Sequence, residues 1–158
     1  MAPILDPKFC PRCGAPVVKS IPPGDSHPRH VCTRCGFIHY LDPKVACGTV
    51  PERDGRIALI RRGIEPRKGF WSFPCGFMEI TETTEQAAVR ETREETGLEV
   101  KLEGHLGTYS YSDSFYGGAV VVVAYRARVV RGDLRADDDC SDAKWVAPGE
   151  IPWEQLAF

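Results

Sequence analysis

No apolar run in this chain of 158 residues approaches the ~20 that a membrane-spanning helix needs, so no such span is expected. Charge of either sign is not in excess. Lys and Arg number 20 against 22 Asp and Glu, a formal net charge of −2, which gives no general attraction to nucleic acid or to an anionic bilayer. Internal repeats and low-complexity tracts are absent. The opening residues lack a charged leader followed by an apolar run, so no secretory signal is expected. Residues 1–40 also lack periodicity. They are rich in Cys, Pro, His and Arg, and such a stretch cannot build a packed core without a staple.

Cysteine supplies the staple. There are seven, an odd number that fits poorly with a disulfide framework. Four of them form two matching knuckles, Cys10-Pro-Arg-Cys13-Gly and Cys32-Thr-Arg-Cys35-Gly, with 18 residues between Cys13 and Cys32. Four thiolates at that spacing suit a closed tetrahedral Zn²⁺ site with no open position, hence a structural one. A pair of redox dithiols is the competing reading, but such motifs rarely come as matched pairs in a Pro-rich segment. Cys47, Cys75 and Cys140 are left as free thiols, and a reducing, cytoplasmic compartment fits best.

From about residue 41 the chain reads as a mixed α/β domain. Strands are expected over 45–50, 57–60, 70–73, 106–111 and 119–130, with a brief last one at 145–146. Asp54-Gly55 marks a hairpin turn. Thr83 with Gln86 forms a capping-box pattern and Gly97 a C-terminal stop, so 83–96 is a helix. A loop is expected over 76–82 and one short helix over 148–158. At about 100° per residue, Glu91, Glu94 and Glu95 share roughly a 100° arc of the predicted helix. Thr84, Ala87 and Ala88 lie on the same stripe.

A glutamate-rich helix is most often a solvated face. Two details argue otherwise. Like charges at i,i+3 and i,i+4 repel by ~0.2–0.5 kcal/mol per pair, and the arc itself holds no opposite charge. Carboxylates beside a small-residue face are what a hard divalent cation such as Mg²⁺ requires.

The spacing of Gly76, Glu82, Arg90, Glu91, Glu94, Glu95, Gly97 and Leu98 resembles the Nudix box. That family folds as an α/β/α sandwich with a mixed sheet. It cleaves nucleoside diphosphates linked to another moiety, using Mg²⁺ or Mn²⁺. The resemblance implies that Glu91, Glu94 and Glu95 bind metal, that Arg90 orients them with Glu82, and that the Cys75 carbonyl completes a metal shell. Glu94 or a later acid, Asp139 or Asp142, would serve as base; both aspartates are expected in a loop, where a merely solvated acidic turn is the alternative. Thr92 departs from the usual aliphatic residue, and Ile80-Thr81 from the usual Gly-containing turn.

The order of the two parts, a zinc ribbon over 1–40 and a Nudix domain over 41–158, also occurs in NADH pyrophosphatases. Their further Ser-Gln-Pro-Trp-Pro-Phe-Pro signature is missing here. The chain looks instead like a second zinc-ribbon group that includes plant enzymes acting on FAD and ADP-ribose. The expected reaction is FAD or ADP-ribose hydrolysis to AMP plus FMN or ribose 5-phosphate. The alternatives are NAD(H) cleavage, a sanitising enzyme that releases pyrophosphate from damaged nucleoside triphosphates, and a nucleotide sensor with a nucleic-acid-binding ribbon. A nucleotide-diphosphate small molecule is the expected partner, without nucleic acid or membrane, and a homodimer is expected only by analogy. Arg61 and Arg62 are candidates to grip phosphates. Trp71, Phe77, Tyr111 and Phe115 are candidates to stack a ring, the last two in the polar, Gly-containing stretch 111–118.

Overall fold

The computed structural model describes residues 6–112 and 115–158; Asp113 and Ser114 of the expected stacking loop lie outside them. The chain divides into two compact units, Met1–Pro43 with Ser112–Ala119, and Lys44–Tyr111 with Val120–Phe158.

In the first unit the repeated Cys-x-x-Cys-Gly pattern sets the local structure. Gly14 and Gly36 take left-handed φ values of 73° and 69°, the region open to glycine. Their amides return to the Cys10 and Cys32 carbonyls at 2.8 and 3.2 Å, so each knuckle closes on itself. Between and after the knuckles run β1 (Val17–Ser20), β2 (Arg29–Cys32) and β3 (Ile38–His39), an antiparallel sheet in the order β1-β2-β3. The core is small: Cys10, Ala15 and Cys32 are buried, with Val17 and Phe37 packed against them. Polar side chains tie the rest. Asp25 accepts the Arg29 Nε at 2.8 Å, and Asp6 accepts Lys19 at 3.2 Å and meets His30 Nε2 at 2.9 Å.

The second unit comprises β4 (Lys44–Arg53), β5 (Arg56–Arg62), β6 (Trp71–Ser72), β7 (Cys75–Phe77), α1 (Thr84–Thr96), β8 (Glu99–Tyr111), β9 (Val120–Arg131) and β10 (Cys140–Val146). The sheet order is β10-β5-β4-β9-β8, with β6 on β5 and β7 on β4. Only the pairing of β4 with β9 is parallel; the others are antiparallel, so the sheet is mixed. Asp54 and Gly55 both have positive φ, 53° and 72°, as a tight hairpin turn requires. β4 is shared along its length. Its first half pairs with β7 (Ala46↔Phe77, Gly48↔Cys75) and its end with β5 (Glu52↔Ile57). This split brings the residues before α1 back onto the central strand.

Thr83 caps α1 through the expected box with Gln86, and Gly97 ends it at φ 70°. Ala87 and Ala88 pack on Cys47 and Tyr125 of the sheet. The neighbouring residue of β5 then points the other way: Ala58 packs with Leu98 and Val129, and Leu59 with Trp71 and Val146. Ile151 and Leu156 cover that second cluster.

Several expectations change. The helix over 148–158 is two short 3-10 turns, Pro148–Glu150 and Trp153–Gln155, because Pro152 offers no amide to continue a helix and Leu156 bridges to Trp71 instead. Gly76 and Phe77, expected in a loop, belong to β7. The last strand starts at Cys140, not Trp145, so Asp142 lies within β10 and not in a loop. Ser141 and Asp142 are exposed on this edge strand, which hides the apolar alternation that marks a strand. Among the described residues no helix is long and apolar enough to cross a membrane.

Candidate active site and thiol cluster

Arg90, one turn and a half into α1, organises the acidic groups. Its Nε and one terminal nitrogen donate to Glu82 at 2.6 and 2.9 Å. The other terminal nitrogen donates to Glu91 at 2.7 Å and Glu94 at 2.9 Å, and the Phe77 carbonyl accepts a further bond at 3.0 Å. The glutamate arc therefore does have a cationic partner, one that the arc alone does not reveal. Arg90 holds the Glu82 carboxyl down at about 2, helped by the Glu79 amide. Glu82 thus stays charged and closes the loop before the helix.

Burial divides the three arc glutamates. Glu94 is exposed, while Glu95 is buried at 4% exposure. The Cys75 amide donates to Glu95 Oε2 at 2.8 Å. Desolvation pushes Glu95 up to about 8, against the Cys75 bond and with the negative charges of Asp139 and Glu91. Desolvation also raises Glu91. Carboxylates held in this state attract a cation, which restores the favourable charge balance lost on burial. A Cβ on Gly76 would stand 2.2 Å from the Glu91 carboxyl carbon, so any larger residue there would displace that carboxyl.

The segment between β9 and β10 straps the C-terminus of α1. The Arg135 amide donates to the Thr96 carbonyl and the Asp137 amide to the Glu95 carbonyl, both at 3.1 Å, and the Gly63 amide to the Asp139 carbonyl at 2.7 Å. As a result Asp139 and Cys140 reach Glu95, with one ligand atom of each within 4.8 Å of the others. Asp142 does not join them; its carboxyl accepts the Ala143 amide at 2.8 Å on the exposed edge. Cys140 carries no pattern in the sequence, and only the strap brings it to the site.

The other predicted residues are dispersed. Arg61 Nε donates to the Gly69 carbonyl and Arg62 Nε to the Pro66 carbonyl, at 2.8 and 2.7 Å, so both arginines brace the 63–70 loop. The charge of Arg62 acts on Glu95, Cys75 and Cys140. Trp71 is buried in the sheet cluster at 6% exposure, with the Lys144 ammonium 4.1 Å from its ring centre. It is a packing residue, not an open stacking platform. Phe77 is partly buried beneath Lys44 at 4.8 Å. Tyr111 and Phe115 are exposed, Tyr111 at the end of β8 and Phe115 in the first unit.

In the first unit all four knuckle sulfurs lie within 4.8 Å of one another. Cys10 and Cys35 are 3.8 Å apart and Cys13 and Cys32 3.4 Å. Tetrahedral Zn–S bonds of ~2.3 Å separate sulfurs by ~3.8 Å, so the cluster fits zinc. Amides of Arg34 and Cys35 point to the Cys32 sulfur at 3.4 Å, as a thiolate requires. The Ala15 amide, followed by Arg34, pulls Cys13 down to about 6.

Comparison with known proteins agrees with this geometry. The NUDIX domain pattern matches residues 42–157, and the Nudix N-terminal zinc-ribbon pattern matches residues 8–41. An ADP-ribose pyrophosphatase of Methanocaldococcus jannaschii is 41% identical over 119 residues, 75% of this chain and 69% of that protein. A protein of Vibrio vulnificus named NAD-capped RNA hydrolase NudC is 30% identical over 152 residues, 92% of this chain. The chain spans about half of that relative, 52%. A crystal structure of a NUDIX hydrolase from Nitrosomonas europaea superimposes with a TM-score of 0.86 at 36% identity, covering 96% of this chain and 84% of the other. The matched NUDIX region spans α1 and the mixed sheet, and the chain belongs to the Nudix hydrolase family.

Proposed function

We propose that the protein hydrolyses the pyrophosphate bond of a nucleoside diphosphate joined to another moiety. ADP-ribose or FAD is the substrate, giving AMP with ribose 5-phosphate or FMN. The observation that carries this reading is Arg90 bound to Glu82, Glu91 and Glu94 beside the buried Glu95. The relative named as an ADP-ribose pyrophosphatase supports ADP-ribose first. A bound Mg²⁺ or Mn²⁺ would neutralise pyrophosphate charge and lower the pKa of water, supplying hydroxide as the nucleophile at phosphorus. Glu91, held by Arg90, and Glu95, held by the Cys75 amide, would present oxygens to the ion. Glu94, the most exposed of the three, accepts a proton from the attacking water at its carboxylate. Arg62, whose charge reaches Glu95, steadies a phosphate. Zn²⁺ on Cys10, Cys13, Cys32 and Cys35 holds the first unit together, and a reducing compartment such as the cytoplasm keeps those thiols available.

A second reading, cleavage of NAD(H), draws support from the NudC relative, which aligns across both units. A pure sensor has no need of a full glutamate set. The test is product analysis with ADP-ribose, FAD, NADH, NAD and nucleoside triphosphates, with and without Mg²⁺ or Mn²⁺, beside Glu94→Gln. Metal-dependent AMP release from ADP-ribose or FAD, lost in the variant, is expected. Turnover of NADH alone would favour the second reading, and no turnover of any compound by a folded protein would sink both.

A further inference from the structure

A row of side chains crosses the sheet on the side opposite α1. Cys47 of β4 packs on Ala87 and Ala88 of α1, so its neighbour Ala46 points away from the helix, because successive residues of a strand face opposite sides. Ala46 is paired with Phe77 of β7 and with Val122 of β9, and Val122 with Tyr109 of β8. Directly paired residues share a face, so Phe77 and Tyr109 stand at the two ends of one row. Three strand spacings separate them, ~14 Å. The row is continuous with the glutamate centre, since the Phe77 carbonyl accepts Arg90, the residue that holds Glu82, Glu91 and Glu94.

Tyr109 ends the row as an open ring, 54% exposed. Its phenol end lies down over Gly107 of the same strand: a Cβ on Gly107 would stand 2.6 Å from the hydroxyl oxygen and 2.8 Å from Cζ. Gly107 does not take a left-handed φ, so the backbone itself does not demand glycine there. The missing side chain instead leaves the room into which the ring folds. Across the strands Gly107 is paired with Ala124, so the row beside the ring is low on both strands. At the other end, the Lys44 ammonium is 4.8 Å from the centre of the Phe77 ring, and Lys44 is exposed. The same face therefore offers an aromatic surface at one end and a cation beside the glutamate centre at the other.

We propose that Tyr109 is the platform on which the adenine ring of the substrate stacks, with Lys44 meeting phosphate charge between that ring and the glutamates. The inference deepens the reading of the protein as a pyrophosphatase of nucleotide-linked substrates and rests on it. Adenine is the part that ADP-ribose, FAD and NAD(H) have in common, so one subsite serves each of them. In extended form the base, its ribose and its phosphate run along the row from Tyr109 toward Arg90. An aromatic face gains from stacking a base, and a ring already folded onto glycine loses little freedom when it does so. Tyr111 is placed differently. It pairs with Val120 on a row that ends at Lys44 and does not reach β7.

The test needs no turnover. AMP and, separately, ribose 5-phosphate are titrated calorimetrically into the full-length native protein, Tyr109→Ala, Tyr109→Phe, Gly107→Ala and Tyr111→Ala. Tyr109→Ala should weaken AMP about tenfold and leave ribose 5-phosphate within about twofold. Tyr109→Phe should keep AMP affinity, since the ring stacks and not the hydroxyl. Gly107→Ala should weaken AMP with the tyrosine still present, by lifting the ring. In hydrolysis, Tyr109→Ala should raise KM by about the factor it costs AMP, about tenfold, and change kcat less than about twofold. Its melting temperature should match that of the native protein, because the ring is half exposed. Unchanged AMP affinity in Tyr109→Ala, no AMP binding by the native protein, or a loss confined to Tyr111→Ala would overturn the proposal. AMP binding that depends on Tyr109 in a protein that hydrolyses none of the substrates would remove the pyrophosphatase reading and leave the adenine subsite. Turnover of ADP-ribose or FAD with AMP binding indifferent to Tyr109 would do the reverse.

Discussion

Glu95 shows how far one residue's chemistry is set by its surroundings. On the sequence it is one of three equivalent glutamates on an arc. In the fold it is the buried one, because α1 turns Ala88, Thr92 and Glu95 toward the sheet while Glu94 stays at the surface. Its carboxyl is pushed from the ordinary 4.5 up to about 8, chiefly by desolvation. The folded chain therefore binds this proton more tightly than the unfolded chain. The linked stability is complete below about pH 4.5 and is lost as the pH rises through about 8, with a total on the order of a few kcal/mol. With no Mg²⁺ or Mn²⁺ added, the melting temperature of the native protein should decline across that window, and Glu95→Gln should flatten most of the decline. Added divalent metal should reverse the native slope by favouring the anion. Parallel pH profiles of the native protein and the variant, each without metal, would count against this account.

At the scale of elements, the helix and its caps were legible because their signals are local: Thr83, Gln86 and Gly97 act within one turn of themselves. β4, β5 and β9 were legible as apolar or β-branched runs, whereas β8 was legible only from Leu106 and in fact begins at Glu99. What stayed hidden was set by pairing partners far away in sequence, such as β7 returning to β4, or β10 extending along β5 with its polar residues outward. The strap, which delivers Asp139 and Cys140 to Glu95, was hidden for the same reason. Thr92 is the clearest case. Alone it looks like a polar error in a helix face that should be aliphatic. In the fold its hydroxyl meets Thr49 of β4 at 2.7 Å and donates to the Ala88 carbonyl at 2.7 Å, with both threonines fully buried. The departure on the helix is matched by one on the strand. Thr92→Val should therefore cost about 1–3 kcal/mol, because it leaves the Thr49 hydroxyl buried without its partner. The double variant with Thr49→Val should recover most of that loss. Denaturant unfolding of the four proteins measures the coupling; strict additivity would show that the two hydroxyls do not act as a pair.

On the scale of the whole molecule, the two units depend on different forces. The second unit has a seven-stranded sheet covered on one face by α1 and on the other by Ile151 and Leu156, enough buried apolar surface to hold itself. The first has three strands of four, four and two residues, and two of its three buried core residues are cysteines. Its core is thus made largely of the groups that bind the metal. Structural zinc contributes on the order of 10 kcal/mol to small domains of this type at neutral pH, far more than a core of that size supplies. Metal removal should therefore act on one unit alone. After exhaustive chelation under reducing conditions, hydrogen exchange should show protection lost from β1, β2 and β3 and retained in β4 and α1, and resupplied Zn²⁺ should restore it. Protection that survives chelation in β2 would mean that the Asp25–Arg29 and Asp6–His30 contacts suffice without metal. Loss throughout the chain would mean that the larger sheet is not self-sufficient, contrary to what its two covered faces imply.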